Sequence, residues 1–67
     1  MQRIPVQSSN IASVGFESGV LEIEFHSGGV YQYFDVPEQI HQALLATDSK
    51  GQFFAQNIRG VYRYARA

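Results

Sequence analysis

The stretch that decides the fold is residues 11–26, which read IASVGFESGVLEIEFH. Its second half alternates strictly, so Leu21, Ile23 and Phe25 lie on one side of a strand and polar side chains on the other. The pair Ser18-Gly19 separates the two halves and is typical of a two-residue hairpin turn. We therefore predict an antiparallel hairpin with one apolar face.

The turn also predicts the register of this hairpin. The expected pairs are Glu17 with Val20, Phe16 with Leu21, Val14 with Ile23, and Ala12 with Phe25. Because side chains alternate along each strand, the apolar members of these pairs share one face. The turn and the hydrophobic pattern therefore agree on one register.

Residues 30–34 read VYQYF, follow Gly28-Gly29, and predict a third strand. A two-residue loop would place Gln32 in the core and Tyr31 and Tyr33 outside, whereas a three-residue loop over 27–29 would reverse this. Burying Gln32 without partners costs about 1–3 kcal/mol. Buried tyrosines instead add aromatic packing while their hydroxyls reach water. We favour tyrosines that face inward, and outward tyrosines would form a platform for stacking bases.

Two helices are predicted after the third strand. Asp35 is a suitable N-cap for the first, with Glu38 at capping-box spacing, and this helix should end near Ala46 or Thr47. Ser49 is the predicted N-cap of the second, and Gly60 is a natural stop after it. Residues 61–64 are either an extended tail or a fourth strand.

The expected fold is α+β, with a three-stranded antiparallel β-meander covered on one face by two short helices in the order β-β-β-α-α. A chain of 67 residues is one domain, in which we expect residues 1–8 to be a flexible arm and 65–67 a tail. The chain has no cysteine and no apolar run of signal-peptide or membrane-span length. These features predict a cytoplasmic protein with no membrane partner and no disulfide.

Charge is distributed unevenly along the chain. Residues 1–48 carry six acidic side chains against one basic, and residues 49–67 carry four basic and none acidic. The basic residues are Lys50, Arg59, Arg63 and Arg66, and Tyr62 and Tyr64 lie among them. Basic residues interleaved with aromatics are typical of single-stranded RNA binders, in which charge contacts phosphate and rings stack on bases. An ordinary solvated C-terminal face would have the same composition.

Several short motifs occur in a defined order: SNI at 9–11, LEIEF at 21–25, GGVYQY at 28–33, VP at 36–37, and SKGQFF at 49–54, followed by Ile58-Arg59 and Tyr62. Together they resemble the KTSC domain, a module named after the C-terminus of some lysyl-tRNA synthetases and also found as a free-standing bacterial or phage protein. Its central Tyr-x-Tyr corresponds to Tyr31 and Tyr33, which we interpret as structural. The resemblance implies no catalytic residues and suggests an RNA partner, such as tRNA.

Other chemistry has little support in the sequence. His26 and His41 have no recognised metal-ligand spacing, so we expect no metal and no cofactor. The serines are explained by loops, turns, a strand position or a cap, and no nucleophile motif is present, so we predict a binding module and not an enzyme. The alternative to RNA binding is a protein-interaction or self-association module that uses an open edge on the first or third strand.

Overall fold

All strands of the molecule belong to one antiparallel sheet in the order β1-β2-β3-β4-β5. The computed structural model describes all 67 residues. The elements are β1 Ile4–Pro5, β2 Ile11–Glu17, β3 Val20–Phe25, β4 Val30–Tyr33, α1 Glu38–Ala46, α2 Lys50–Asn57 and β5 Tyr64–Arg66. The α+β class, the central meander and the two helices after it are confirmed. The sheet has five strands, however, and not the three predicted.

The first hairpin has the predicted register near its turn. Ser18 and Gly19 both adopt left-handed conformations, with φ of 51° and 82°, as a type I′ turn requires. Phe16 lies opposite Leu21 as expected. Farther from the turn the prediction is wrong, because a bulge at Ala12 places Ile11, and not Ala12, opposite Phe25. The side chain of Ile11 is thereby brought into the core, where it is fully buried.

The second hairpin confirms the inward orientation of the tyrosines. Its loop has three residues, 26–28, and the backbone N–H of Phe25 donates to the carbonyl of Gly29 at 2.9 Å. The loop begins one residue earlier than predicted, but it has the predicted length of three residues, so the tyrosines lie on the predicted side of the sheet. Tyr31 lies opposite Ile23 and Tyr33 opposite Leu21. Tyr33 is buried and Tyr31 half-buried.

β1 lies where no strand was expected, and β5 overlaps the alternative of a fourth strand over 61–64 only at Tyr64. Ile4–Pro5 lies in the segment 1–8 expected to be an arm, and it pairs with β2. β5 includes most of the 65–67 tail, and the N–H of Ala67 donates to the carbonyl of Val30 at 2.8 Å. Such short strands have too few residues to show a periodic pattern and form because β2 and β4 offer unpaired backbone groups. The predicted open edges on the first and third meander strands are therefore covered.

The helices begin differently from the prediction. Pro37 occupies the N-cap position of α1, while Asp35 adopts a φ of 58° and its carboxylate accepts a hydrogen bond from Arg63. The predicted Asp35 cap is therefore wrong, although α1 ends at Ala46 as expected. Ser49 precedes α2 but makes no capping hydrogen bond. Gly60 follows α2 with a φ of 79°, a conformation that glycine adopts without strain.

The core lies between the helices and one face of the sheet, as predicted. Its buried members are Ile11, Val14, Leu21, Ile23, Tyr33, Val36, Leu44, Phe54 and Ile58. Leu44 comes from α1 and Phe54 from α2, so both helices contribute a buried anchor. This packing fixes α2 against β3 and β4, which matters for the site described below.

The opposite face of the sheet carries a closed polar network around Glu22. Its carboxylate accepts hydrogen bonds from Gln32 Nε2 at 2.8 Å and from the guanidinium of Arg3, with which it forms an ion pair. Arg3 Nε also donates to Ser13 Oγ at 3.0 Å, and Ser13 Oγ donates to Glu24 at 2.8 Å. The hydrogen bonds from Gln32 and Arg3 hold the pKa of Glu22 below its ordinary value. On this face Glu22 therefore has a cationic partner, whereas Glu24 accepts a hydrogen bond only from the neutral hydroxyl of Ser13.

Candidate nucleic-acid interface

An open groove lies on the helix side of the sheet, beyond the edge of α2. It is lined by Phe25, Tyr31, Tyr33, Phe54, Arg59 and Tyr64 and has a volume of about 340 Å³. We call it the aromatic groove. Four separate elements build it, because β3 and β4 supply its floor, α2 supplies one wall and β5 the other.

The rings of the aromatic groove contact one another. Tyr64 has its ring centroid 6.1 Å from that of Tyr31 and 5.8 Å from that of Tyr33. Phe54 lies across the groove, 5.4 Å from Tyr33 and nearly perpendicular to it. Although Tyr33 is buried, Tyr64 is 61% exposed. The groove therefore presents a solvent-facing ring supported by a packed aromatic floor.

One arginine, Arg59, lines the groove, and a second, Arg66, lies over one of the rings that line it. The Arg66 guanidinium carbon is 5.7 Å from the centroid of Tyr31, and that of Arg59 is 6.0 Å from the centroid of Phe54. The ion pairs of the chain are Arg3 with Glu22 and Arg63 with Asp35, so neither arginine at the groove has a carboxylate partner. No acidic residue lines the groove. Both arginines remain free to bind an anion.

The tyrosine hydroxyl at the groove floor stays neutral at physiological pH. Burial raises the pKa of Tyr33 above its ordinary value of 10, and the neighbouring Tyr31 and Tyr64 act in the same direction. A neutral phenol adds no negative charge to the groove and can donate a hydrogen bond.

The residues proposed from sequence do not all meet at this groove. Arg59 and Tyr64 line it, and Arg66 lies beside it, over the ring of Tyr31. Tyr62 and Arg63 line a neighbouring groove, which begins on the other side of Tyr64 and includes Phe34. The Nζ of Lys50 donates to the carbonyl of Thr47 at 2.7 Å, and Lys50 lines neither groove.

Sequence reasoning missed part of the site. Phe25 was predicted only as part of the apolar face of a strand, and Phe54 was not singled out as a site residue, yet both line the aromatic groove. They line a third groove as well, together with Asn10, Gly51, Ala55 and Arg59, which we call the asparagine groove. Nothing in the local pattern marks these residues as a site, because only the docking of α2 on the sheet brings them together.

The histidines are engaged elsewhere. His26 Nε2 lies 2.9 Å from the carbonyl of Ser8, and the ring of His41 stacks on Phe16 with centroids 4.7 Å apart. The chain has no group of three or more side chains of the types that ligate metals placed to hold an ion. Neither helix has the length and apolar character needed to span a membrane.

Comparison with known proteins finds a small protein of similar length and a short segment of a much larger enzyme. The family model for the KTSC domain matches residues 7–62. An uncharacterized protein of Stutzerimonas stutzeri is 45% identical over 69 residues, which cover 98% of this chain and 97% of that protein. A lysine–tRNA ligase of Trichormus variabilis is 46% identical over 44 residues, which cover 66% of this chain but only 8% of the ligase.

A solved structure has the same fold. The crystal structure of a KTSC domain protein from Yersinia pestis superposes with a TM-score of 0.94 at 43% sequence identity, covering 98% of this chain and 96% of that one. The family model and this structure agree with the resemblance seen in the ordered motifs around Tyr31 and Tyr33. The chain belongs to the KTSC domain family.

Proposed function

We propose that this protein is a small RNA-binding module that holds single-stranded RNA in the aromatic groove. The observation that carries the proposal is an open groove with an exposed tyrosine and a packed aromatic floor, lined by the unpaired Arg59 and flanked by Arg66, which lies over the ring of Tyr31. Single-stranded RNA offers both chemistries that such a groove can bind, an unstacked base and a phosphate.

The exposed ring of Tyr64 is the proposed stacking surface. A base stacked on an aromatic side chain contributes about 1–3 kcal/mol, and every base has a face that can stack. Tyr64 is packed against Tyr31 and Tyr33, so its ring is held in place before RNA arrives. Little side-chain freedom would be lost on binding.

Arg59 and Arg66 are the proposed phosphate contacts. A guanidinium binds phosphate through charge-assisted hydrogen bonds, which are stronger than neutral ones. Glu22, which would repel RNA, lies on the opposite face of the sheet and is paired with Arg3. The charge distribution therefore favours an anion at the groove.

The similarity to a lysine–tRNA ligase supports tRNA as the class of RNA. The matching segment is a small part of that enzyme, and the ligase acts on tRNA by its name. Loops and the unpaired end of a tRNA present the splayed bases that the groove would accept.

The test is a fluorescence-anisotropy titration of labelled tRNA and a labelled single-stranded RNA at several salt concentrations. We expect affinity to fall with salt, and the double variant Arg59→Gln/Arg66→Gln to reduce the slope of log K against log salt by about 1.4, since each contact to a single strand contributes about 0.7. The single variant Arg59→Gln should reduce the slope by about 0.7. Lys50→Gln, which also removes one positive charge but outside the groove, is its matched control and should keep a slope close to that of the wild type.

Equal salt dependence in the double variant and the wild type would contradict the proposal, as would the absence of RNA binding. Sedimentation of the free protein runs beside the titration. A mass that rises with protein concentration, without any RNA effect, would favour self-association instead.

A further inference from the structure

The aromatic groove and the asparagine groove are two halves of one continuous surface. Phe25, Phe54 and Arg59 line both of them. Their volumes of about 340 and 320 Å³ are similar, each at the lower end of the range for small-molecule sites. One guanidinium therefore stands between two spaces of equal size, an arrangement that suits two successive nucleotides joined by a phosphate.

The asparagine groove contains the side-chain amide of Asn10, whose backbone is held in place by two hydrogen bonds. The backbone N–H of Asn10 donates to Ser8 Oγ at 3.2 Å, and its carbonyl accepts from the N–H of His26 at 3.0 Å. These two bonds fix the backbone on both sides. The side-chain amide makes no hydrogen bond within the chain, so its donors and its acceptor are available to a ligand.

A glycine in α2 makes room for this amide. A Cβ atom at Gly51 would lie only 2.3 Å from Asn10 Nδ2 and 3.3 Å from its Cγ. Glycine within a helix costs about 1 kcal/mol relative to alanine, and here its effect is to let the amide lie directly against the helix backbone. Any larger residue at position 51 would force the amide of Asn10 out of this position.

We propose that Asn10 is a specificity-determining residue that reads the edge of an adenine in the asparagine groove, while Arg59 binds the phosphate that links this nucleotide to a base stacked on Tyr64. This inference rests on the proposed RNA-binding function. An asparagine amide presents a donor beside an acceptor, which matches N7 and the N6 amino group of adenine. Phe25 and Phe54 supply the apolar walls on which the base lies.

The experiment compares a labelled short oligoadenylate with the same strand made of 7-deazaadenosine, which keeps the ring face but lacks the N7 acceptor. We expect the wild type to bind the deaza strand about fivefold more weakly, the loss of one such base contact. Asn10→Ala should bind both strands equally. Gly51→Ala should do the same, although it retains the amide, because the new methyl group displaces it.

Two checks keep this result specific. Asn57→Ala removes another asparagine, whose amide donates to the carbonyl of Phe53 and which lines neither groove, so it should keep the fivefold difference. Alanine is a better helix former than glycine, so Gly51→Ala should not lower the melting temperature.

The experiment distinguishes a wrong role for Asn10 from a wrong assignment of RNA binding. Equal binding of both strands by the wild type, with binding still weakened by Arg59→Gln, overturns the role of Asn10 and leaves RNA binding in place. A fivefold difference that survives in Asn10→Ala also overturns it. No binding of either strand, or no effect of Arg59→Gln, overturns both.

Discussion

The two outer strands of the sheet carry arginines in opposite circumstances. Beside β1, Arg3 contacts a carboxylate that is 7% exposed and belongs to a closed hydrogen-bonded network. On β5 and the segment before it, Arg66 and Arg59 lie over aromatic rings without any carboxylate partner. The same residue type therefore stabilises the fold at one edge and remains available for a ligand at the other. The structural arginine and the arginines available to a ligand are distinguished by whether a carboxylate lies beside the guanidinium group.

The largest expected effect is on stability at the β1 edge. Glu22→Ala removes the carboxylate that accepts from Gln32 and Arg3, and it leaves a partly buried guanidinium without its partner. We expect the free energy of unfolding to fall by about 2 kcal/mol. Urea denaturation measures it, with Glu17→Ala, an exposed residue of β2, as the control that should change little. RNA affinity should be unchanged where the protein is folded, and a parallel loss of affinity would mean that the two edges are not independent.

The next effect is on RNA affinity at the β5 edge. Tyr64→Ala removes the exposed ring, and we expect affinity to fall about tenfold, within the range for one stacked base. Tyr64→Phe keeps the ring and should bind like the wild type. The unfolding free energy should fall by less than about 1 kcal/mol, the range of a cross-strand aromatic pair. A loss of affinity in both variants would point to the hydroxyl and not to stacking.

Low pH should reduce the contribution of Glu22 to the free energy of unfolding. The folded-state pKa of Glu22 lies below its ordinary value of 4.5, because Gln32 and Arg3 stabilise the carboxylate. The unfolded chain therefore binds more protons, and this contribution to stability is present above pH 4.5 and is lost as pH falls through the folded pKa. Unfolding free energy measured against pH should show this decline, and Glu22→Gln should flatten it.

A histidine contributes to the same pH profile at higher pH. Burial lowers the pKa of His41 below its ordinary value of 6.5, against the opposing effect of Glu38. Stability should therefore begin to fall as pH drops below 6.5. His41→Phe keeps an aromatic ring against Phe16 and should remove this part of the decline while leaving the Glu22 part. If neither Glu22→Gln nor His41→Phe changed the dependence of unfolding free energy on pH, other titratable groups would account for the decline.

The smallest effect is expected at the exposed ion pair between Arg63 and Asp35, whose side chains are 78% and 84% exposed. Arg63→Gln should change the unfolding free energy by less than about 0.5 kcal/mol, as is usual for exposed pairs. Its effect on RNA affinity should be smaller than that of Arg59→Gln, because Arg63 is already paired and lies outside the aromatic groove. A larger effect would extend the binding surface to the neighbouring groove around Tyr62.

The sequence predicted those features of the fold that depend on residues close together in the chain. Ser18-Gly19 and the alternation after it predicted the first register, because a turn and a pattern both act over a few residues. The bulge at Ala12 was missed, since nothing in that segment distinguishes a regular ladder from a bulged one. The side of the sheet on which Tyr31 lies depended on the length of the loop before it. The cost of burying Gln32 favoured the three-residue loop, which is the length observed.

The candidate site was predictable only in part for the same reason. Arg59, Arg66 and Tyr64 stood out as a basic and aromatic segment near the C-terminus. Phe54 could not be assigned to the site, because its position beside Tyr33 results from the docking of α2 on the sheet. Asn10 lies far from these residues in the chain, and its proximity to Gly51 is a tertiary contact.

The pairing of β5 with β4 has a consequence for the order in which the molecule folds and opens. The other strand pairs are hairpins or short connections, whereas both helices must be formed and docked before β5 can close the sheet. Contacts separated by a long loop are costly to form, and a three-residue strand regains little. We expect the amides of β5 to exchange with deuterium faster than those of β2 and β3. A bound ligand on Tyr64 would slow that exchange, because it would add contacts that hold β5 against β4.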